Sequence, residues 1–139
     1  MSNEIQDLQN KLLVIDEMKL SLSIELLDVI TQGLTVKLEG YHDSYHSNTF
    51  GKRIQIIIEE GFRNLLFDCT KFFETDLSFF DQLGFVEKSL QNVDGWFSMF
   101  GFTGKMREIV DLMGITKRIH HFDSQSEAYC YLREKEFRK

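Results

Sequence analysis

Two stretches with a strict period of two fix the start of the fold. Leu20, Leu22, Ile24 and Leu26 alternate with Ser21, Ser23 and Glu25, and Leu34, Val36 and Leu38 alternate with Thr35, Lys37 and Glu39. Strand side chains point to opposite faces in turn, so each stretch reads as a strand buried on one face. Thr31-Gln32-Gly33 supplies the turn between them, and the pair is predicted to be an antiparallel hairpin. After the hairpin the period changes. Phe50, Ile54, Ile57 and Ile58 mark a helix that Gly61 closes. Asn64–Cys69 is a short apolar run of the kind that forms a fully covered strand. Phe80, Leu83, Leu90 and Val93 then return to helical spacing, and a turn follows at Asp94-Gly95.

Trp96 to Phe102 reads as another buried strand. A helix capped by Thr103 follows, with Met106, Ile109, Val110 and Met113 inward and Gly114 as its stop. Arg118–Phe122 reads as a last strand, and a helix from about Ser124 packs through Ala128, Tyr129 and Leu132. Strands that alternate with helices imply a mixed, mainly parallel sheet joined by right-handed crossovers. The fold class is therefore α/β, with about five strands and about four helices. Residues 1–19 precede this pattern. Ile5, Leu8, Leu12 and Ile15 form one stripe of a short amphipathic helix, which packs on its own domain or else docks a second copy, as in a homodimer, or a partner. The predicted division is an extension at 1–19 and one domain at 20–139.

Composition narrows the function classes. A net charge of −6 argues against sequence-independent affinity for nucleic acid or anionic lipid. No long apolar core stands at the N-terminus, so neither a leader nor membrane insertion is expected, and a cytoplasmic location follows. Cys69 and Cys130 form no metal spacing and read as buried free thiols. His42 and His46 lack a third ligand at a recognisable spacing, even with His120 and His121 added, so no metal site is assigned. Gly101-Phe102-Thr103-Gly104-Lys105 lacks the first glycine and the magnesium-binding hydroxyl of a phosphate loop, because Met99 and Met106 occupy those places. It reads as a strand-to-helix turn. No nucleophile–base pair or paired carboxylates can be placed, and neither an enzyme nor a cofactor is expected.

One corner stands apart: Phe72-Phe73-Glu74-Thr75-Asp76-Leu77-Ser78-Phe79-Phe80-Asp81-Gln82-Leu83-Gly84, where a buried strand hands over to a helix. Thr75, Asp76 and Ser78 carry oxygens that can accept from the unpaired amides of a first helical turn. The same residues can equally form a surface that another protein reads. In open parallel sheets the loops at the carboxyl ends of the strands are the informative ones, and this corner is such a loop.

The order of elements, together with Leu34-Thr35-Val36-Lys37-Leu38-Glu39-Gly40 and Asp43, the strand Asn64-Leu65-Leu66-Phe67-Asp68, Asp76 with Ser78, and Met106 to Ile115, resembles the STAS domain family of anti-sigma factor antagonists. The resemblance implies a regulatory interaction module. Such a domain binds a kinase-like anti-sigma factor, frees the sigma factor, and is switched off when that kinase phosphorylates a serine at the head of the domain's second helix. The family pattern there is Asp-Ser-Ser or Asp-Ser-Thr followed by Gly-Leu-Gly. Asp76 and Ser78 match, Leu77 stands in place of the phosphorylated serine, and Phe79 and Asp81 replace the glycines. The resemblance assigns Asp43, Asp76, Leu77, Ser78 and Phe79 to the partner surface. It leaves Ser78 and Thr75 as the hydroxyls that a kinase could reach. The absence of the switch serine favours, as the alternative reading, an interaction subunit of a larger signalling or transporter-associated assembly.

Overall fold

The computed structural model describes residues 2–15, 20–42, 47–75 and 77–137. The predicted hairpin is present: β1 (Leu20–Leu26) pairs antiparallel with β2 (Gly33–His42), with Leu22 opposite Leu38 and Ile24 opposite Val36. β3 (Asn64–Thr75), β4 (Trp96–Phe100) and β5 (His121–Phe122) follow in parallel, giving a five-stranded sheet in the order β1-β2-β3-β4-β5. The helices are α1 (Ser2–Ile15), α2 (Ser47–Glu59), α3 (Ser78–Gln91), α4 (Gly104–Leu112), α5 (Ile115–Arg118) and α6 (Gln125–Phe137).

Each crossover steps one strand further in the same direction, so right-handed connections put α2, α3 and α4 on a common face. The core follows that division. Leu65, Phe67 and Cys69 of β3 turn toward Phe50 and Ile54 of α2, Leu83 and Val86 of α3, and Met106 and Val110 of α4. Leu66 and Phe100 turn the other way, where Ala128 and Leu132 of α6 cover them with Leu27 and Ile30 of the hairpin loop. The helix α1 belongs to the first face, with Leu8 buried and Ile5 packed beside it; Leu12 and Ile15 lie outside the described side chains. The Gln9 amide donates to the Leu22 carbonyl at 2.8 Å, and its oxygen accepts from the Ile24 N–H at 2.9 Å. A primary amide thus stands where a neighbouring strand would bond, and it covers part of the otherwise free β1 edge.

Several expectations need correction. Asn64–Cys69 is only the first half of β3, which runs on to Thr75 and pairs there with Gly40–His42 of β2. Among the described side chains of the added segment Phe72 alone is buried, so no apolar run announced it. The strand expected over Trp96–Phe102 stops at Phe100. Arg118–Phe122 is not one strand. Ile115 and Ile119 both enter the core and are joined by a helical turn, closed by the Ile119 N–H donating to the Ile115 carbonyl at 2.9 Å, and among the described residues of this stretch His121 and Phe122 pair with β4. Gly114 does stop α4, in a left-handed conformation with φ of 74°. Met113 and Val93, expected inward, are exposed beyond the last inward turns of their helices. Thr103 occupies the N-cap of α4 in an extended conformation without a side-chain cap bond. Cys130 is exposed rather than buried, because α6 turns Ala128 and Leu132 to the sheet.

Candidate functional site

The site begins where β4 ends. The pairing of β3 with β4 stops at Asp68 opposite Phe100, whereas its pairing with β2 continues to Thr75 opposite His42. Past Asp68 the sheet is therefore three strands wide, β1-β2-β3, as far as Gly40, which pairs with Leu20 on one side and Phe72 on the other, and Tyr41–His42 and Phe73–Thr75 run on from there as a two-stranded ribbon. Two register shifts, each with the extra residue in β3, lie between the Lys37–Asp68 and Glu39–Lys71 pairs and between the Gly40–Phe72 and Tyr41–Glu74 pairs, and such irregularities increase local twist. At the first of these shifts the Asp68 carboxylate accepts from both the Thr70 N–H at 3.1 Å and the Thr70 hydroxyl at 2.7 Å, bracing the strand where its neighbour leaves. One ribbon face presents Tyr41 and Phe73, each about half exposed, with ring centroids 6.1 Å apart. Phe72, the next residue in the alternation, turns inward.

Leu77 precedes the first residue of α3 and is 65% exposed. Its backbone is already helical, with φ −64° and ψ −20°, and its carbonyl accepts from the Phe80 N–H at 3.1 Å. It offers no side-chain cap, since leucine has no acceptor. Ser78 is half-buried at the start of the helix, and Thr75 is half-buried at the end of the ribbon. Asp43 and Asp76 lie outside the described residues.

Phe79 is not at the surface. It is fully buried, with ring centroids 5.2 Å from Phe50, 4.8 Å from Phe72 and 5.8 Å from Phe80. Adjacent residues on a helix point about 100° apart, so an aromatic pair here can bury only one member deeply. That member is Phe79, and Phe80, which the helical pattern placed inward, is half-buried beside it. Phe79 therefore holds the corner from beneath. Above it, the Gln82 side-chain oxygen accepts from the Gly51 N–H at 3.0 Å, tying the first turns of α3 to α2. A shallow groove between the two helices is lined by Gly51, Lys52, Gln55, Gln82 and the half-exposed Phe85. Sequence reasoning missed Tyr41, Phe73 and Phe85 as surface aromatics. Period two from Leu65, Phe67 and Cys69 would turn Phe73 inward; the register shift after Asp68 puts Phe72 there instead and leaves Phe73 exposed.

The shifted titrating groups lie elsewhere. Arg107 of α4 donates from Nε to both oxygens of Asp111 at 3.2 Å and from Nη1 to Asp123 at 2.9 Å. These bonds raise the arginine and hold the Asp123 carboxyl below its usual range. Burial, then the neighbouring Arg107, lowers His121, whose ring stacks on Phe102 at 5.2 Å. This cluster pins α4 to the loop after β5. Burial also pushes the Cys69 thiol well up, which leaves it unreactive. Among the described residues, no group of three or more His, Cys, Asp or Glu side chains converges as a metal site. Nor, among those residues, is any helix long and apolar enough to cross a membrane.

This arrangement defines the STAS fold, the architecture of the anti-sigma factor antagonists. No family model and no curated protein matches the sequence, but solved structures match the fold. An anti-sigma factor antagonist from Mycobacterium paratuberculosis superposes with a TM-score of 0.69 at 16% identity, over 82% of this chain and 94% of that one. The Bacillus cell fate determinant SpoIIAA in its phosphorylated form gives 0.60 at 16% identity, over 81% of this chain and all of the other (100%). The murine anion transporter Slc26a9 gives 0.66 at 13% identity, over 92% of this chain and 24% of the transporter.

Proposed function

We propose that the chain is a regulatory protein–protein interaction module. It binds a kinase-like anti-sigma factor or related regulator through the corner formed by the β2–β3 ribbon and the head of α3, without a serine phosphoswitch. The observation that carries the reading is Leu77. An apolar side chain stands exposed at the head of a helix, where a polar cap would be the stable choice, and Tyr41 and Phe73 are exposed on the strand pair that leads to that helix. Residues that break a local rule of this kind concentrate at functional surfaces. Asp43, Asp76 and Ser78 complete the proposed surface, with Phe79 as its internal support. A leucine cannot accept phosphate, so the module stays binding-competent and is controlled by its abundance or by its partner.

The test is titration of the purified chain with its kinase-like partner, the unaltered protein against Leu77→Lys and Asp76→Lys. Loss of a buried interface contact costs about 1–3 kcal/mol, so each reversal should weaken binding about tenfold to a hundredfold in a folded protein. Unchanged affinity in both variants would place the interface elsewhere. A second reading, an interaction subunit of a transporter-associated assembly, is favoured by the likeness to part of Slc26a9. Co-purification with a membrane transporter instead of a kinase-like protein would select it.

A further inference from the structure

The opposite end of the sheet carries a second opening, remote from the Leu77 corner. β5 pairs with β4 only at Met99 and Phe100, so Trp96 to Ser98 have no strand on that side. The Trp96 N–H bonds inward to the Arg63 carbonyl on the β3 side at 3.0 Å, and the Met99 N–H bonds outward to the His120 carbonyl at 3.0 Å. Main-chain groups alternate with a period of two, so the N–H and C=O of Phe97 point outward like those of Met99. They face a recess of about 190 Å³ between β4, the end of α3 and the segment that leaves α5.

Its charge is as informative as its shape. In a chain of net charge −6, this recess is bordered by Arg118 and Lys135, with Glu87 as the acid among its lining residues. Neither cation joins an ion pair of the described residues. Lys135 is held at the mouth by the Trp96 ring, 4.9 Å from its centroid. A second copy of the chain would bring the same cations face to face, which disfavours self-pairing through this edge. An extended segment with acidic side chains would meet both a strand edge that β5 does not reach and two cations that form no ion pair among the described residues.

We propose that the amino-terminal half of the β4 edge binds a short, extended, acidic peptide segment of a partner protein, added as a strand beside Trp96–Ser98. Main-chain bonds to Phe97 fix the segment, and Arg118 and Lys135 select its charge.

The test uses the full chain, uniformly labelled with nitrogen-15, and the probe acetyl-Val-Glu-Val-Asp-Val-amide, followed by amide chemical shifts. The expected result is saturable shifts at Phe97, Ser98, Arg118, Ile119 and His120, with affinity falling about tenfold or more in an Arg118→Glu, Lys135→Glu variant whose other resonances are unchanged. Equal binding of the lysine counterpart would overturn the charge selection. Equal binding of a backbone N-methylated peptide, or the same shifts from glutarate alone, would overturn strand addition. Absence of saturable shifts at this edge, or shifts only around Leu77, would overturn the site itself.

Discussion

Phe79 and Leu77 lie two residues apart, and the structure gives them opposite tasks, which makes Phe79→Ala a decisive substitution. The Phe79 ring is fully buried, with three aromatic neighbours within 6 Å. Truncating such a ring removes its transfer energy and leaves a cavity, at a cost of about 3–5 kcal/mol. For 139 residues the unfolding entropy near the midpoint is about 0.3 kcal/mol per degree, so the melting temperature should fall by about 10–17 °C. Phe79→Leu, which keeps most of the volume, should cost about 1–2 kcal/mol. Leu77→Ala, at an exposed position, should stay within about 0.5 kcal/mol of the unaltered protein. Urea and thermal melts followed by circular dichroism measure all three. A loss below about 1 kcal/mol in Phe79→Ala would refute the buried position and return Phe79 to the partner surface.

The remaining structural predictions concern the free edge and the histidine. Gln9→Leu removes both amide bonds to β1 and should cost about 1–3 kcal/mol, read as a drop of several degrees in melting temperature; an unchanged melt would mean that α1 does not hold the strand. His121 is lowered in the folded protein, so the unfolded chain binds more protons in the window just below the ordinary histidine value. Its contribution to stability is therefore full above that value and is lost as pH falls through about 6.5 toward the folded pKa. His121→Gln should flatten the fall in melting temperature between about pH 7 and pH 5, and an identical profile would show that other groups carry it.

The hairpin and the alternation of strand and helix were legible because their apolar residues keep a clean period and their polar residues fill the opposite face. The failures have specific causes. Thr70 to Thr75 is strand although, among its described side chains, Phe72 alone is buried, because β4 no longer flanks it and its order comes from pairing with β2. Arg118 to Phe122 reads as a strand, yet Ile119 closes the helical turn Ile115–Arg118 through which both isoleucines reach the core, a tertiary preference that composition does not reveal. Phe79 and Phe80 cannot be ordered by periodicity alone, since a shift of one residue in the helix start exchanges them. Of the site, the sequence showed the position of Leu77 at the head of α3. It did not show the projecting aromatics Tyr41 and Phe73, whose exposure depends on β4 ending early.

The central claim is an interaction surface that lacks its phosphoswitch, and mass spectrometry of the chain incubated with its kinase-like partner and ATP tests it most directly. A side chain one position along a helix points about 100° away, so Ser78 should not present its hydroxyl where a kinase aligned on position 77 acts. The account predicts no stoichiometric phosphate on the unaltered chain and a single phosphate on Leu77→Ser. A stoichiometric phosphate on Ser78 or Thr75 of the unaltered chain would contradict it.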